Sequence, residues 1–175
     1  MRKALLISFV LAFALCPTSI LACGCVSLSN ETFETTIGNL VSSSVAVFHG
    51  KVIGFEYRKG TFNEYMSEKR DPTGKAIKYE TKIVKFKSDL WWKGYSDSEI
   101  ELVTSETRNS DGTGSTDSCD FHFTEGESYT VFAYLDKSTT MPRTNSCRYT
   151  KQGKVTQEYL KALGEGTLVL PTYLK

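Results

Sequence analysis

Two cysteines one residue apart, Cys23 and Cys25, stand at the exit of an apolar leader, and two more, Cys119 and Cys147, lie far downstream. An even set of this kind in an exported chain reads as a disulfide framework, although four cysteines permit three pairings that spacing alone does not separate. Bonds tying the amino terminus to Cys119 and Cys147 would each close a loop of roughly 100 residues. In the chain-entropy model each is worth about 4 to 5 kcal/mol, enough to decide whether a modest core stays folded. Zinc is the competing use of four thiolates, but no two of these cysteines form the Cys-x-x-Cys clamp that zinc sites favour.

The oxidising compartment is itself inferred from the leader. Arg2 and Lys3 precede an apolar run from Ala4 to Leu15, then Pro17 and a small-residue exit at Ala22. That order is expected of a secretory signal peptide over residues 1–22, which would carry away Cys16 and leave Cys23 first. A run of about a dozen apolar residues is too short for the roughly twenty that cross a bilayer, so secreted or periplasmic localisation without a retained span is expected. Ile20-Leu21-Ala22-Cys23 also approximates a lipobox. Acylation there would anchor the protein to a membrane, consume both the thiol and the amine of Cys23, and leave one downstream cysteine unpaired.

Past the leader the sequence predicts one domain over 23–150 followed by a helix and tail over 151–175. Ser29 and Asn30 offer N-cap oxygens for an amphipathic helix over 31–42, on which Phe33, Ile37, Leu40 and Val41 recur at helical spacing. Val45 to Tyr57 reads as a long first strand that bends or bulges at Gly50 and Gly54. Residues 58–76 read as an exposed loop. From Ile77 the apolar positions alternate, then change phase so that Val84, Phe86 and Leu90 face the other way, which predicts a bulge near Ile83. Trp91-Trp92-Lys93-Gly94 ends that strand, and Glu99 to Thr104 forms its partner. Residues 105–118, nearly all Ser, Thr, Asp, Asn and Gly, read as a loop. Glu127 to Leu135 is apolar on both faces, as a doubly covered strand would be. Arg143 to Tyr149 is expected as a last strand holding Cys147, and Thr156 as the cap of a helix that stops at Gly164. About five bent strands with one early and one C-terminal helix predict a mainly β fold, an OB-fold-like Greek-key barrel, with a β-sandwich as the alternative.

Several function classes have no footing in these residues. The formal net charge is +1 and falls by two when Arg2 and Lys3 leave, so no field points to nucleic acid. His49 and His122 stand alone in strand-like stretches and read as structural. No Ser-His-Asp set, phosphate loop or His-Glu-x-x-His is present, and neither an enzyme nor a cofactor is expected. Asp111, Asp117 and Asp120 share a Gly-rich stretch, but their spacing departs from the EF-hand order, so they read as a solvated loop. The tandem Trp91-Trp92 reads as core and rim packing.

Cys23-Gly24-Cys25-Val26 directly after the leader resembles the start of the netrin-like domain, most closely that of the tissue inhibitors of metalloproteinases. The likeness continues through Ala46-Val47-Phe48-His49-Gly50-Lys51-Val52, Trp92-Lys93-Gly94, Cys119, Gly126-Glu127-Ser128-Tyr129-Thr130-Val131-Phe132 and Cys147, and spans roughly 23–150. The resemblance implies pairing of Cys23 with Cys119 and of Cys25 with Cys147. It also implies a zinc metalloprotease as partner. In that family the α-amino group and carbonyl oxygen of the first residue, here Cys23, chelate the protease's catalytic zinc, with Gly24, Cys25, Val26 and Ser27 as the contact ridge. An α-amino group titrates near pH 7.7 and has a lone pair to offer when neutral. At the position that reaches into the protease specificity pocket this chain has Gly24, which fills nothing, and Ser27 stands where the vertebrate inhibitors usually have proline.

Overall fold

The computed structural model describes residues 23–25, 31–59, 79–94, 98–137 and 139–168. The expected leader, Val26 and Ser27, the expected caps Ser29 and Asn30, and most of the expected loop and of the distal tail lie outside the described residues. The described residues form a mainly β, antiparallel fold with two helices. In chain order the elements are α1 (Phe33–Ser43), β1 (Ala46–Lys59), β2 (Tyr79–Lys93), β3 (Glu99–Asn109), β4 (Gly114–Ser115), β5 (Ser128–Leu135), β6 (Pro142–Arg143), β7 (Lys151–Gln152), α2 (Gln157–Leu163) and β8 (Thr167–Leu168).

The sheet runs β4-β3-β2-β1-β5-β6, with β7 also on β5 and β8 on β2. Its centre is β1, which pairs with β2 from Val47 to Lys59 and with β5 over Ala46 to Lys51. The β1–β2 ladder shifts register at Val47/Phe48, His49/Gly50 and Val52/Gly54, and each such irregularity adds local twist. Gly50 marks the tightest approach: a Cβ there would lie 2.8 Å from the Lys87 carbonyl oxygen. Only glycine lets the β2 backbone pass so close. The phase change near Ile83 coincides with a register shift between Thr81 and Ile83 in the β2–β3 ladder. The bends curl the sheet until β6 comes back against β3.

Curling explains why β1 and β5 are apolar on both faces. Ala46, Phe48, Val131 and Ala133 point into the concave side with Val84, Phe86, Trp91, Leu102 and Tyr129. Val47 and Phe132, paired across the ladder, point outward and pack with Ile37 of α1 and Tyr159 of α2. Both helices therefore cover the convex face of β1 and β5. Thr32, not Ser29 or Asn30, caps α1, its hydroxyl accepting from the Thr35 N–H at 3.2 Å. Thr156 caps α2 and Gly164, at φ 78°, ends it.

Three expectations are corrected. Residues 105–109 are not loop: β3 continues to Asn109, pairing Thr107 with Thr81 and Arg108 with Glu80, and β4 adds to its edge. Arg143 to Tyr149 is not a strand, since only Pro142 and Arg143 pair with β5 and Cys147 lies in the turn that follows. The Asn145 side chain accepts the Cys147 N–H at 3.1 Å, and its carbonyl accepts the Arg148 N–H at the same distance, turning the chain before a ladder forms. Among the described residues the strands number more than five because four of them are two-residue pieces that dock on the four long ones.

Candidate functional site

Cys23, Cys25, Cys119 and Cys147 form the two bonds that the resemblance implies, Cys23–Cys119 and Cys25–Cys147, with Cα atoms 4.9 and 5.2 Å apart. The bonds lie side by side, Cys23 Sγ being 3.6 Å from Cys147 Sγ. The sulfurs of Cys23, Cys25 and Cys147 all fall within 4.8 Å of one another. In disulfides none of them is a thiolate, the form that ligates zinc, so the clustering is that of two crosslinks. For the same reason acylation of the Cys23 sulfur and the Cys23–Cys119 bond exclude each other. Cys23 is half-buried, while Gly24 and Cys25 are exposed. A Cβ built on Gly24 meets nothing within 4 Å, so the chain presents bare backbone there with open space around it. Val26 and Ser27, the rest of the expected ridge, lie outside the described residues.

What anchors Cys23-Gly24-Cys25 is the pair of segments that receive it. Around Cys119, the Asp117 carboxylate accepts the Cys119 N–H at 2.9 Å, the Asp117 N–H donates to the Ser105 hydroxyl at 2.9 Å, and Asp120 accepts the Ser105 N–H at 3.0 Å. The Cys119 carbonyl accepts both the N–H and the hydroxyl of Ser146, at 2.9 and 3.0 Å, and Asp120 bridges to Asn145. The two cysteine-bearing turns are thus bonded to each other as well as to Cys23 and Cys25.

Buried charge fixes the same junction. The Arg143 side chain, 12% exposed, lies 3.4 Å from Asp136, 3.7 Å from Asp120 and 3.9 Å from Asp117. Burial pushes the Asp120 carboxyl up, against the hydrogen bonds from Ser105 and the charge of Arg143 that hold it down. Next to Cys147, Arg148 turns inward, donating to the Phe132 carbonyl at 3.1 Å, the Ser44 hydroxyl at 2.8 Å and the Leu40 carbonyl at 3.4 Å. Burial pulls its pKa down, partly opposed by Tyr134, whose ring lies 5.2 Å below the guanidinium. Tyr149, at φ 54°, is held by the Tyr159 hydroxyl, which donates to its carbonyl at 2.8 Å. Burial drives the Tyr159 phenol up to about 12. From β5, α1 and α2, hydrogen bonds converge on the turn that carries Cys147.

The other residues singled out in the sequence go elsewhere. Asp111 accepts from the Thr113 N–H and hydroxyl at 2.9 and 2.6 Å, apart from Asp117 and Asp120, which share Ser105 and Arg143. His49 is buried between Asp89, 2.7 Å from Nδ1, and the Gly153 carbonyl, 3.1 Å from Nε2, whereas His122 is exposed. Trp91 is buried and donates to Ser88 at 2.7 Å, and Trp92 donates to the Gly164 carbonyl at 2.9 Å. Arg143, Asp117, Asp120 and Arg148 have no anchoring role in the sequence reading. Their signal was acidic residues flanking Cys119 and arginines flanking Cys147, opposite charges beside cysteines that bond to one short segment.

No protein-family model matches this chain, and no curated protein matches it.

Proposed function

We propose that the exported protein is a netrin-like inhibitor that docks its pinned amino terminus on the catalytic zinc of a metalloprotease. In this reading the curled sheet is an OB-fold-like Greek-key barrel closed by the approach of β6 to β3, and the leader is removed before Cys23. The observation that carries the proposal is the double anchoring of Cys23-Gly24-Cys25 by two adjacent disulfides, with Gly24 and Cys25 exposed. A short, exposed, pre-organised terminus loses little conformational entropy on docking.

The chemistry needs only the first residue. A neutral amine on Cys23 and the Cys23 carbonyl oxygen form a five-membered chelate, occupying the position that a catalytic zinc keeps for water. The bound segment presents no scissile bond to an activated water, so the enzyme is blocked rather than supplied with substrate. Gly24 favours the second reading, a netrin-like binding module whose terminus is merely fastened, because it contributes no side chain to a specificity pocket.

One added alanine before Cys23 distinguishes the two. Inhibition of a panel of zinc metalloproteases by the mature protein is expected to be lost in the extended form, with the thermal melt unchanged. Equal inhibition by both forms contradicts the chelate, and no inhibition by either leaves the binding-module reading. The space around Gly24 also predicts that Gly24→Thr tightens binding to proteases with a deep pocket; no gain means that this ridge is not the contact surface.

A further inference from the structure

The bonds around the first half of β3 fix which way its main chain faces. The Ser88 N–H donates to the Ser98 carbonyl at 2.9 Å, and the ladder continues with Phe86 opposite Ile100 and Val84 opposite Leu102. Hydrogen-bonded pairs alternate along an antiparallel ladder, so Ser98, Ile100 and Leu102 bond to β2, whereas Glu99, Glu101 and Val103 turn N–H and carbonyl to the other edge. Farther along that edge the same phase is satisfied. Ser105 donates its N–H to Asp120 at 3.0 Å, Thr107 pairs with Ser115, and the Asn109 N–H donates to the Thr113 carbonyl at 2.7 Å. No strand among the described residues pairs with Glu99 to Val103 on that side.

Strand β6 comes back against β3 without completing a ladder. The Asp136 N–H donates to the Met141 carbonyl and Arg143 pairs with Tyr134, so by the same alternation Pro142 turns its main chain toward β3. A proline has no N–H to donate. Beside Ser105 the seam is drawn shut, because Asp120 bonds the Ser105 N–H and faces Arg143. At the start of β3 it stands open as a cleft of about 590 Å3, with Glu99, Ile100 and Glu101 on one side and Met141 and Pro142 on the other. Ile100 and Leu102 point into the core, so the Glu99 and Glu101 carboxylates lie on the opposite face of the sheet, beside Lys87 and Lys85. What these two residues lend to the cleft is main chain.

We infer that the open edge of β3 from Glu99 to Glu101 takes an extended, uncharged peptide segment of a partner protein as an added strand, with an apolar side chain lodged against Trp91, Ile100 and Met141. Two N–H donors and two carbonyl acceptors set along a strand complement another peptide backbone, which is how exposed sheet edges recognise their ligands. A hydrocarbon would leave all four groups unmet, and a carboxylate or an amine would meet only one kind. The apolar lining selects an apolar side chain at alternate positions of the added strand. Val45 and Leu135, 41% and 47% exposed, carry that surface out to the mouth.

Titration of the protein with the blocked peptide acetyl-Thr-Val-Thr-Leu-Thr-Val-Thr-amide, followed by backbone-amide NMR, tests this directly. Saturable one-site binding is expected. The Glu99 and Glu101 N–H groups should exchange freely in the unbound protein and about tenfold more slowly in the complex, while Ile100, bonded to β2, is protected in both. Two N-methylated peptides, one blocked at its apolar residues and one at its threonines, lose donors on opposite edges of the added strand. One of them is expected to bind within about twofold of the parent and the other about tenfold more weakly, the value of one to two lost hydrogen bonds. Absence of saturable binding, equal binding of the two methylated peptides, or protection that arises away from Glu99 and Glu101 overturns the assignment. So does slow exchange of Glu99 and Glu101 in the unbound protein, since another part of the chain or a second copy would then already hold the edge.

Discussion

His49 shows how a residue that reads as structural acquires a measurable pH dependence. Both ring nitrogens face acceptors, the Asp89 carboxylate and the Gly153 carbonyl, an arrangement that only the doubly protonated ring satisfies. Burial alone would lower its pKa, but the Asp89 bond and charge and the Gly153 carbonyl hold it above the ordinary 6.5. A folded pKa raised above the unfolded one means that the contribution is complete below about pH 6.5 and is lost as pH rises through the higher folded value. We expect the stability difference between the native protein and His49→Gln, read from urea midpoints, to shrink by about 1 kcal/mol on going from pH 6 to pH 8.5. A difference independent of pH contradicts the two-acceptor geometry. Arg143 is the harsher case, because Arg143→Ala leaves Asp120 and Asp136 buried without their cation. Removing one member of a buried set costs about 3 kcal/mol, which the denaturant midpoint will show.

At the scale of elements, helix α1 illustrates support that lies outside the helix. Its last turn has no basic residue of its own, yet Lys93 Nζ donates to the Val41 and Ser42 carbonyls at 2.7 and 3.0 Å, and Arg148 reaches Leu40. Both cations come from distant segments and satisfy carbonyls at the negative end of the helix dipole. Strand β1 depends on Gly50, and Gly50→Ala is expected to cost about 2 kcal/mol, because the new Cβ meets backbone that cannot rotate away. A melting temperature within a degree of the native one contradicts that close approach. These elements differ in how far the sequence reveals them. β1 and β5 are legible because Val, Phe and Tyr fill both phases, and α2 because Thr156 and Gly164 bracket it. The far half of β3 is not, since Ser105 to Asn109 are polar and earn their strand only by pairing with β2, where Arg108 bonds Glu80 at 2.8 Å and lies 4.0 Å over the Tyr57 ring. The turn at Cys147 is illegible for a related reason: the Asn145 bonds that make it are local, but the arginine and tyrosine contacts that hold it come from α1, β5 and α2.

The described residues form a strongly bent sheet whose two ends are drawn together by buried charge and by crosslinks to Cys23 and Cys25. The cysteine bonds span 96 and 122 residues, so each restricts the unfolded chain heavily. Replacing Cys25 and Cys147 together by serine is expected to cost about 4 to 5 kcal/mol, read as a loss of stability against urea. It should also weaken any inhibition, since Cys23 alone would then hold the terminus. A loss below about 1 kcal/mol would mean that the hydrogen bonds between the cysteine turns already hold the terminus. The proposed chelate requires that the chain begin at Cys23 with an unmodified amine. The most direct measurement is therefore the intact mass of the exported protein, before and after reduction, with its first residue identified. A chain that begins at Cys23, carries no added group and gains two hydrogens for each of two disulfides is the predicted result. A mass raised by an acyl group, a different first residue, or a smaller gain on reduction would contradict the proposed wedge.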